Sequence, residues 1–330
     1  MPADDRARPW YVAGPSRAPG ADVSGPSVAR LYDCCLGGKN HYATDRDAAE
    51  KIRAVFPDLA DAAWANRGFH GRAAIWMAQQ GIRQFVDVGC GLPTTTDTYM
   101  AVEKFAASAR VSYVDHDPAV IAHAHALLAR TGSTAVMLAD VRDPASLLAG
   151  LHLDGLIDLA EPAGLLVTAV MHFVAAEDDP WGCVARLVAA LAPGSFLALS
   201  HATADHLSPV AAQTVAEVFA GASERLYLRS RAEIGRFFDG LELVPPYTGA
   251  EAELTCAGLW GCEDPDLADS EGSRALYCAV GRRSKIPRGR AERPAPSTPG
   301  RAASRTTTTG TTNTPRQKTN TPRQKRIAHD

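Results

Sequence analysis

Phe85-Val86-Asp87-Val88-Gly89-Cys90-Gly91-Leu92-Pro93-Thr94 reads as a short buried strand ending on an acidic residue, a turn with two glycines one residue apart, and a helix start. Glycine has no Cβ to hold a ligand off the backbone. The strand-to-helix turn at the carboxyl end of a parallel sheet is where open α/β folds bind nucleotides. Outward from this stretch, Val111–Val114 forms a second strand that ends at Asp115, 28 residues beyond Asp87. A carboxylate there suits a two-oxygen grip on ribose hydroxyls. Ala135–Ala139 makes a third strand ending at Asp140. Three successive strands that each end in or beside an aspartate point to an adenosine-containing ligand.

The identity of that ligand turns on the residues after Gly91. A dinucleotide fingerprint needs a third glycine three positions on, so that a pyrophosphate can sit on the helix N-terminus. Thr94 occupies that place, and Pro93 before it has no N–H to donate. A nicotinamide-dependent oxidoreductase is therefore the weaker alternative. The charge of Asp87 favours a ligand carrying an ammonium or sulfonium group. The pattern resembles the first motif of the S-adenosylmethionine-dependent methyltransferases. That resemblance implies that Asp87, Gly89 and Gly91 lie along the methionine part of the cofactor, Asp115 at the ribose and Asp140 near the adenine.

A second resemblance covers most of the chain outside its tail. Pro26–Asp33, Leu36–Lys39, Asp45-Arg46, Asn66-Arg67, Gly81–Phe85, Gly91–Thr94 and Tyr113–Asp115 are similar to segments of an actinobacterial methyltransferase family with no settled substrate. Ala139–Pro144, His172–Val174, Leu191–Ser195, Ser200–Ala202 and Arg236–Leu241 continue the likeness in the same order. Cys34, Cys35 and Asn40 depart from it, as does the Leu259–Gly261 region. The resemblance implies a class I, Rossmann-like fold whose final strand runs antiparallel. It also favours a lid carrying Arg30 and Lys39, either of which would face the cofactor's carboxylate.

Composition agrees with an α/β enzyme. The chain has 330 residues, 46% of them hydrophobic, enough for a sizeable core in one large domain or two. The apolar stretch Ala163–Ala176 is short for a membrane span, and the N-terminal residues have no apolar run of the signal-peptide kind. Seven cysteines without metal-type or disulfide-type spacing point to reduced thiols and the cytoplasm. His123 and His125 face different sides of a helix, so no metal is expected. Arg282–Asp330 carries 13 Lys and Arg against two acids, a net of +11, while the other 281 residues net −14. This tail lacks aromatics, repeats the stretch Thr312–Lys318 as Thr319–Lys325, and reads as a disordered extension. Only through it is nucleic acid a conceivable partner.

Periodicity and punctuation divide the chain into a disordered arm (1–25), an N-terminal helical cap or lid (26–82), a cofactor-binding core (83–281) and the basic tail (282–330). Ser27 is expected to cap the first helix, Thr44 and Asp47 the second, and Ala60–Gln80 to form the third. Strands are expected at Gln84–Val88, Val111–Val114, Ala135–Leu138, Gly164–Met171, Phe196–Ser200, Leu241–Val244 and Leu276–Val280. Their alternation with helices gives a doubly wound, mostly parallel sheet. The residues Thr94–Asp97 have capping-box spacing for the helix after the glycine turn.

His172, ending the fourth strand, is the candidate general base; the plainer alternative is a pocket wall. Asp87 has a plainer alternative too, ordering its own loop. Asp117 is better explained as a cap for the helix that Pro118 begins. The expected activity is methyl transfer from S-adenosylmethionine to an unidentified acceptor, a small molecule rather than a macromolecule. Its alternative is a non-catalytic protein that binds S-adenosylmethionine or S-adenosylhomocysteine. Methyl transfer is an in-line displacement that positioning can accelerate without a fixed base. The acceptor pocket is expected from 205–231 and 247–269. Oligomeric state is not legible.

Overall fold

The computed structural model of the protein describes residues 25–94, 97–129 and 132–284. Most of the arm and of the basic tail, read above as disordered, lies outside the described residues, as do Thr95 and Thr96.

Among the described residues, eight strands form one sheet in the order β3-β2-β1-β4-β5-β8-β6, with β7 also paired to β8. The strands are β1 (Gln84–Val88), β2 (Arg110–Asp115), β3 (Thr134–Leu138), β4 (Gly164–Thr168), β5 (Phe196–Ala202), β6 (Glu242–Leu243), β7 (Thr255–Cys256) and β8 (Leu276–Arg282). β1 to β5 are mutually parallel, and β8 runs antiparallel to β5, β6 and β7. The expected mixed, Rossmann-like sheet is what forms. Strand order reverses at β1, which lies between β2 and β4, and the crevice beyond that reversal is where such sheets bind ligands.

The alternation of β1 builds the two faces of the core. Phe85 joins Phe69, Met77 and Trp260 on one face, whereas Val86 and Val88 join Leu147, Leu165 and Leu187 on the other. The first face is covered by α3 (Leu59–Gln79), α4 (Thr98–Val102) and α5 (Pro118–Leu127); the second by α6 (Pro144–Asp154) and α7 (Pro180–Ala190). Trp260 meets the edges of Phe69 and Trp76 at 5.7 and 5.9 Å. Arg72 on α3 holds its segment by donating to the carbonyls of Trp260, Ala257 and Gly258 at 2.7, 2.9 and 3.1 Å. The 247–269 region thus contributes to the core.

Before the sheet come α1 (Val28–Cys35) and α2 (Ala43–Arg53). One fully buried carboxylate, Asp45, ties them together: it accepts the backbone N–H of Ser27 and of Tyr42 and the Nε–H of Arg30, at 2.9, 2.7 and 2.8 Å. The capping expectations change accordingly. Ser27 stands at the N-cap of α1, but its hydroxyl caps nothing, and α2 begins after Tyr42 rather than Thr44. At α4 the cap is Asp97, whose carboxylate accepts from the N–H of Met100. Asp117 caps α5 as expected, accepting from Ala119 N–H. β4 stops at Thr168, earlier than expected, because Ala169 takes φ +56° and turns the chain out of the sheet. After β5 the chain forms α8 (Pro209–Ala220), α9 (Arg231–Gly235) and, between β7 and β8, the single turns α10 (Pro265–Ala268) and α11 (Glu271–Arg274).

Candidate functional site

A cavity of about 770 Å³ opens at the carboxyl ends of β1, β2 and β4, and it is closed over by α1, α3 and α8. The glycine turn forms its floor. Gly89 and Gly91 take φ +69° and +65°, the left-handed conformation that glycine adopts without penalty. A Cβ on Gly89 would collide with the Val170 side chain, whereas one on Gly91 would meet nothing within 4 Å. The N–H groups of Gly89 and Cys90 both donate to Val114 O, at 2.7 and 3.1 Å, folding the turn back onto β2. Asp115 completes the tie by accepting from Gly91 N–H and Asp117 N–H, each at 3.0 Å, one on each carboxylate oxygen. Each oxygen keeps a lone pair, and Asp115 lines the cavity. Burial raises its carboxyl pKa, against the two backbone hydrogen bonds.

Asp87 lines the same cavity at the end of β1 and is almost fully buried. Burial pushes its carboxyl up to about 6, although the Thr98 hydroxyl donates to it at 2.6 Å. Behind it stands His70 of α3, which the sequence did not single out. Because Thr98 gives its proton to Asp87, it accepts from Nε2–H of His70 (2.7 Å), and His70 Nδ1 accepts from Thr168 (2.8 Å). Burial lowers the His70 pKa well below the usual histidine value, and a neutral ring with its proton on Nε2 leaves Nδ1 as the acceptor. The chain Thr168–His70–Thr98–Asp87 fixes the carboxylate's position and proton order. Arg67, one α3 position past Asn66, also lines the cavity and lowers the Asp87 pKa by its charge.

Asp140 follows β3 at the cavity rim and is already paired. Arg142 approaches it to 2.7 Å and reaches Glu224, on the segment after α8, at 3.4 Å. Burial would raise the Asp140 carboxyl, but the hydrogen bonds from Arg142 outweigh it and leave the pKa lowered. Glu224 accepts in turn from His116 at 3.0 Å. That hydrogen bond raises the His116 pKa and lowers that of Glu224.

Of the two lid cations, Arg30 lines the cavity with its guanidinium engaged by Asp45 and, at 2.9 Å, by Gly25 O. Lys39 is exposed and absent from the lining. His172 lies on a 3₁₀ turn, Met171–Phe173, beyond the end of β4, and it lines the cavity. Its Nδ1 accepts from the backbone N–H of Ala202 at 3.1 Å, so in the neutral ring Nε2 carries the proton. Burial and the nearby His201 and Arg229 hold its pKa well below the histidine range. A ring in this state donates a hydrogen bond. His172 thus brings a donor, Nε2–H, to the cavity lining. Of the two regions expected to shape the acceptor pocket, 205–231 supplies lining residues and 247–269 supplies none.

The family of S-adenosyl methyltransferases matches residues 16–284 of the chain. Among solved structures, the chain is similar to a DUF574 family protein from Streptomyces avermitilis MA-4680 at 38% identity and a TM-score of 0.72. That match covers 78% of this chain and 98% of the other. A candidate methyltransferase from Thermobifida fusca YX matches at 35% identity and a TM-score of 0.72, over 81% of this chain and 98% of the other. No curated protein matches.

Proposed function

The chain belongs to the S-adenosyl methyltransferase family and is an S-adenosylmethionine-dependent methyltransferase by family and fold, and from that premise we propose that its acceptor is a small molecule bound in the same cavity as the cofactor. When bound, S-adenosylmethionine supplies a methyl group on a sulfonium. The observation that carries the reading is a pair of buried carboxylates, Asp87 and Asp115, flanking an open glycine turn on one wall of the cavity. A buried carboxylate needs a compensating partner, and the cofactor's ammonium is such a partner for Asp87. Asp115 keeps lone pairs for ribose hydroxyls, and Gly91 leaves room for the ligand to lie against the backbone.

In this reading Asp140 would serve the adenine end through the Arg142–Glu224 network and Arg67 and Arg30 would face the cofactor's carboxylate, whereas Lys39 stands outside the cavity lining. His172 orients the acceptor as a donor. Residues 26–82 cap the site and 83–281 carry the cofactor, although Phe69, Ala73 and Met77 of α3 belong to the core of the sheet. The cavity, about 770 Å³ and in the upper part of the roughly 300–1,000 Å³ range of small-molecule sites, supports a small acceptor over a macromolecule. All seven cysteines are free, which supports a reducing, cytoplasmic setting. No helix among the described residues is long and apolar enough to cross a membrane. A nucleic-acid contact is left to the basic tail.

Calorimetric titration tests the reading directly. S-adenosylmethionine and S-adenosylhomocysteine should bind and NAD should not. Binding of NAD without either adenosyl ligand would falsify the assignment of the site.

A further inference from the structure

The cavity has two chemically different ends. Away from the carboxylates its wall is made by Leu31, Ile52, Phe56, Ala63, Val215 and Phe219, from α1, α2, the turn after α2, α3 and α8. Leu31, Ile52, Ala63, Val215 and Phe219 belong to an apolar cluster separate from the two that sandwich the sheet, and Phe56 packs against both this cluster and the first of those two. Asp33, a charged residue along this end, is used internally by the backbone N–H of Asn40 at 2.8 Å and by His41 at 3.2 Å. Neutral polar groups line the cavity as well. Asn66 donates to the Tyr32 hydroxyl at 2.8 Å and accepts from Ser200 at 2.5 Å, which leaves its second amide hydrogen. His172 Nε2–H makes no hydrogen bond to the described residues.

We propose that the acceptor is an uncharged, predominantly apolar small molecule, an alkyl- or aryl-substituted compound with one polar reacting group. Its apolar part fills the compartment among α1, α2, α3 and α8, and its polar group meets His172 Nε2–H and Asn66. This rests on the cofactor reading above and deepens it. A charged or sugar-like acceptor would leave its polar groups unpaired against this wall, which disfavours it strongly.

The test uses the full chain saturated with S-adenosylhomocysteine and a series of probes, 4-methyl-, 4-propyl- and 4-pentylphenol, with binding read by calorimetry. Each buried methylene should tighten binding about fourfold, so the pentyl compound should bind roughly a hundredfold or more tighter than the methyl one. A flat series overturns the proposal. Val215→Glu places a charge in the apolar wall and should abolish the chain-length dependence without changing affinity for S-adenosylhomocysteine. Where its thermal midpoint shows misfolding, Leu226→Asp, at a half-buried lining position, takes its place. An equal slope in a folded variant means adventitious binding and also overturns the proposal. Failure of the parent protein to bind S-adenosylhomocysteine would instead remove the cofactor reading.

Discussion

Burial holds the Asp87 carboxyl at about 6, above its value of 3.8 in an unfolded chain. The proton is thus held more tightly in the folded state. The resulting stability is fully present below pH 4 and is lost as pH rises through about 6, where the apo protein must bury a bare carboxylate. A cofactor ammonium reverses this by favouring the ionised form. Binding of S-adenosylhomocysteine should release a proton between pH 5 and 6, and affinity should strengthen from pH 5 to 7. Calorimetry in two buffers of different ionisation enthalpy measures the release, and Asp87→Asn should abolish it; proton uptake would sink the idea. At Asp115 the loss is of hydrogen bonds to a charged group, so Asp115→Ala should cost about 1.5–3 kcal/mol of cofactor affinity by calorimetry. His172→Asn retains an N–H donor. With Nδ1 committed to Ala202 N–H, turnover should fall far less than the 10²–10⁴-fold of a lost general base, and any pH dependence should survive. A large drop at unchanged cofactor affinity would restore the base. That Asp87, Gly91 and Asp115 line the cavity was legible because each stands at a strand end or in the turn that follows one. His70 was not, because its partners Thr98 and Thr168 lie 28 and 98 residues away.

The segment after α8 is held over the cavity from several directions. Glu224 accepts from His116 beyond β2 and from Arg142 beyond β3, while Ser223 N–H donates to Pro26 O at 2.9 Å and the Ser223 hydroxyl accepts from Val28 N–H at 3.1 Å. Reading the chain element by element located β1, β2, β3, β5 and β8 to within two residues, ran β4 three residues too far and missed β7, and it did not reveal this closure, which depends on three loops meeting. For the same reason Ala169 could not be foreseen as the end of β4, since its positive φ fits no alanine preference. The charges facing His116 are Asp115, Glu224 and the more distant Asp140, all of which favour its protonated form. Its folded pKa is raised, so its contribution is fully present below the ordinary histidine range and is lost as pH rises through the folded value. Glu224, with its pKa lowered, loses its contribution only as pH falls through a value under 4.5. The closure should therefore hold through mildly acidic conditions and loosen on the alkaline side. Hydrogen exchange across 221–228 should accelerate as pH rises beyond the raised His116 pKa, after correction for the intrinsic rate. In His116→Ala that step should be missing; a step that persists would place the control elsewhere.

At the scale of the molecule, the sheet and its switch point were readable because strand, turn and helix signals recur in one order from Gln84 to Val280. The 247–269 region was misread because nothing local distinguishes a pocket-forming loop from one whose Trp260 packs against Phe69 and Trp76. β8 ends at Arg282, and two further residues finish the sheet edge: Arg283 exchanges backbone hydrogen bonds with Gly194 and Ser195 at 2.9 and 2.8 Å, and the Ser284 hydroxyl donates to Glu242 at 2.7 Å. A cut after Ser284 therefore spares every paired group of the edge, and the residues removed contain no aromatic side chain with which to bury surface. Deleting 285–330 should leave the thermal midpoint and the affinity for S-adenosylhomocysteine unchanged. The body carries a net charge of −14 against +11 on Arg282–Asp330, so any affinity of the full chain for DNA should be confined to the tail. It should fall steeply between 50 and 200 mM salt, in proportion to the phosphates neutralised, and vanish on deletion. A truncated protein that melts at lower temperature would make the tail part of the folded unit, and DNA binding that survives truncation would require a basic surface on the body.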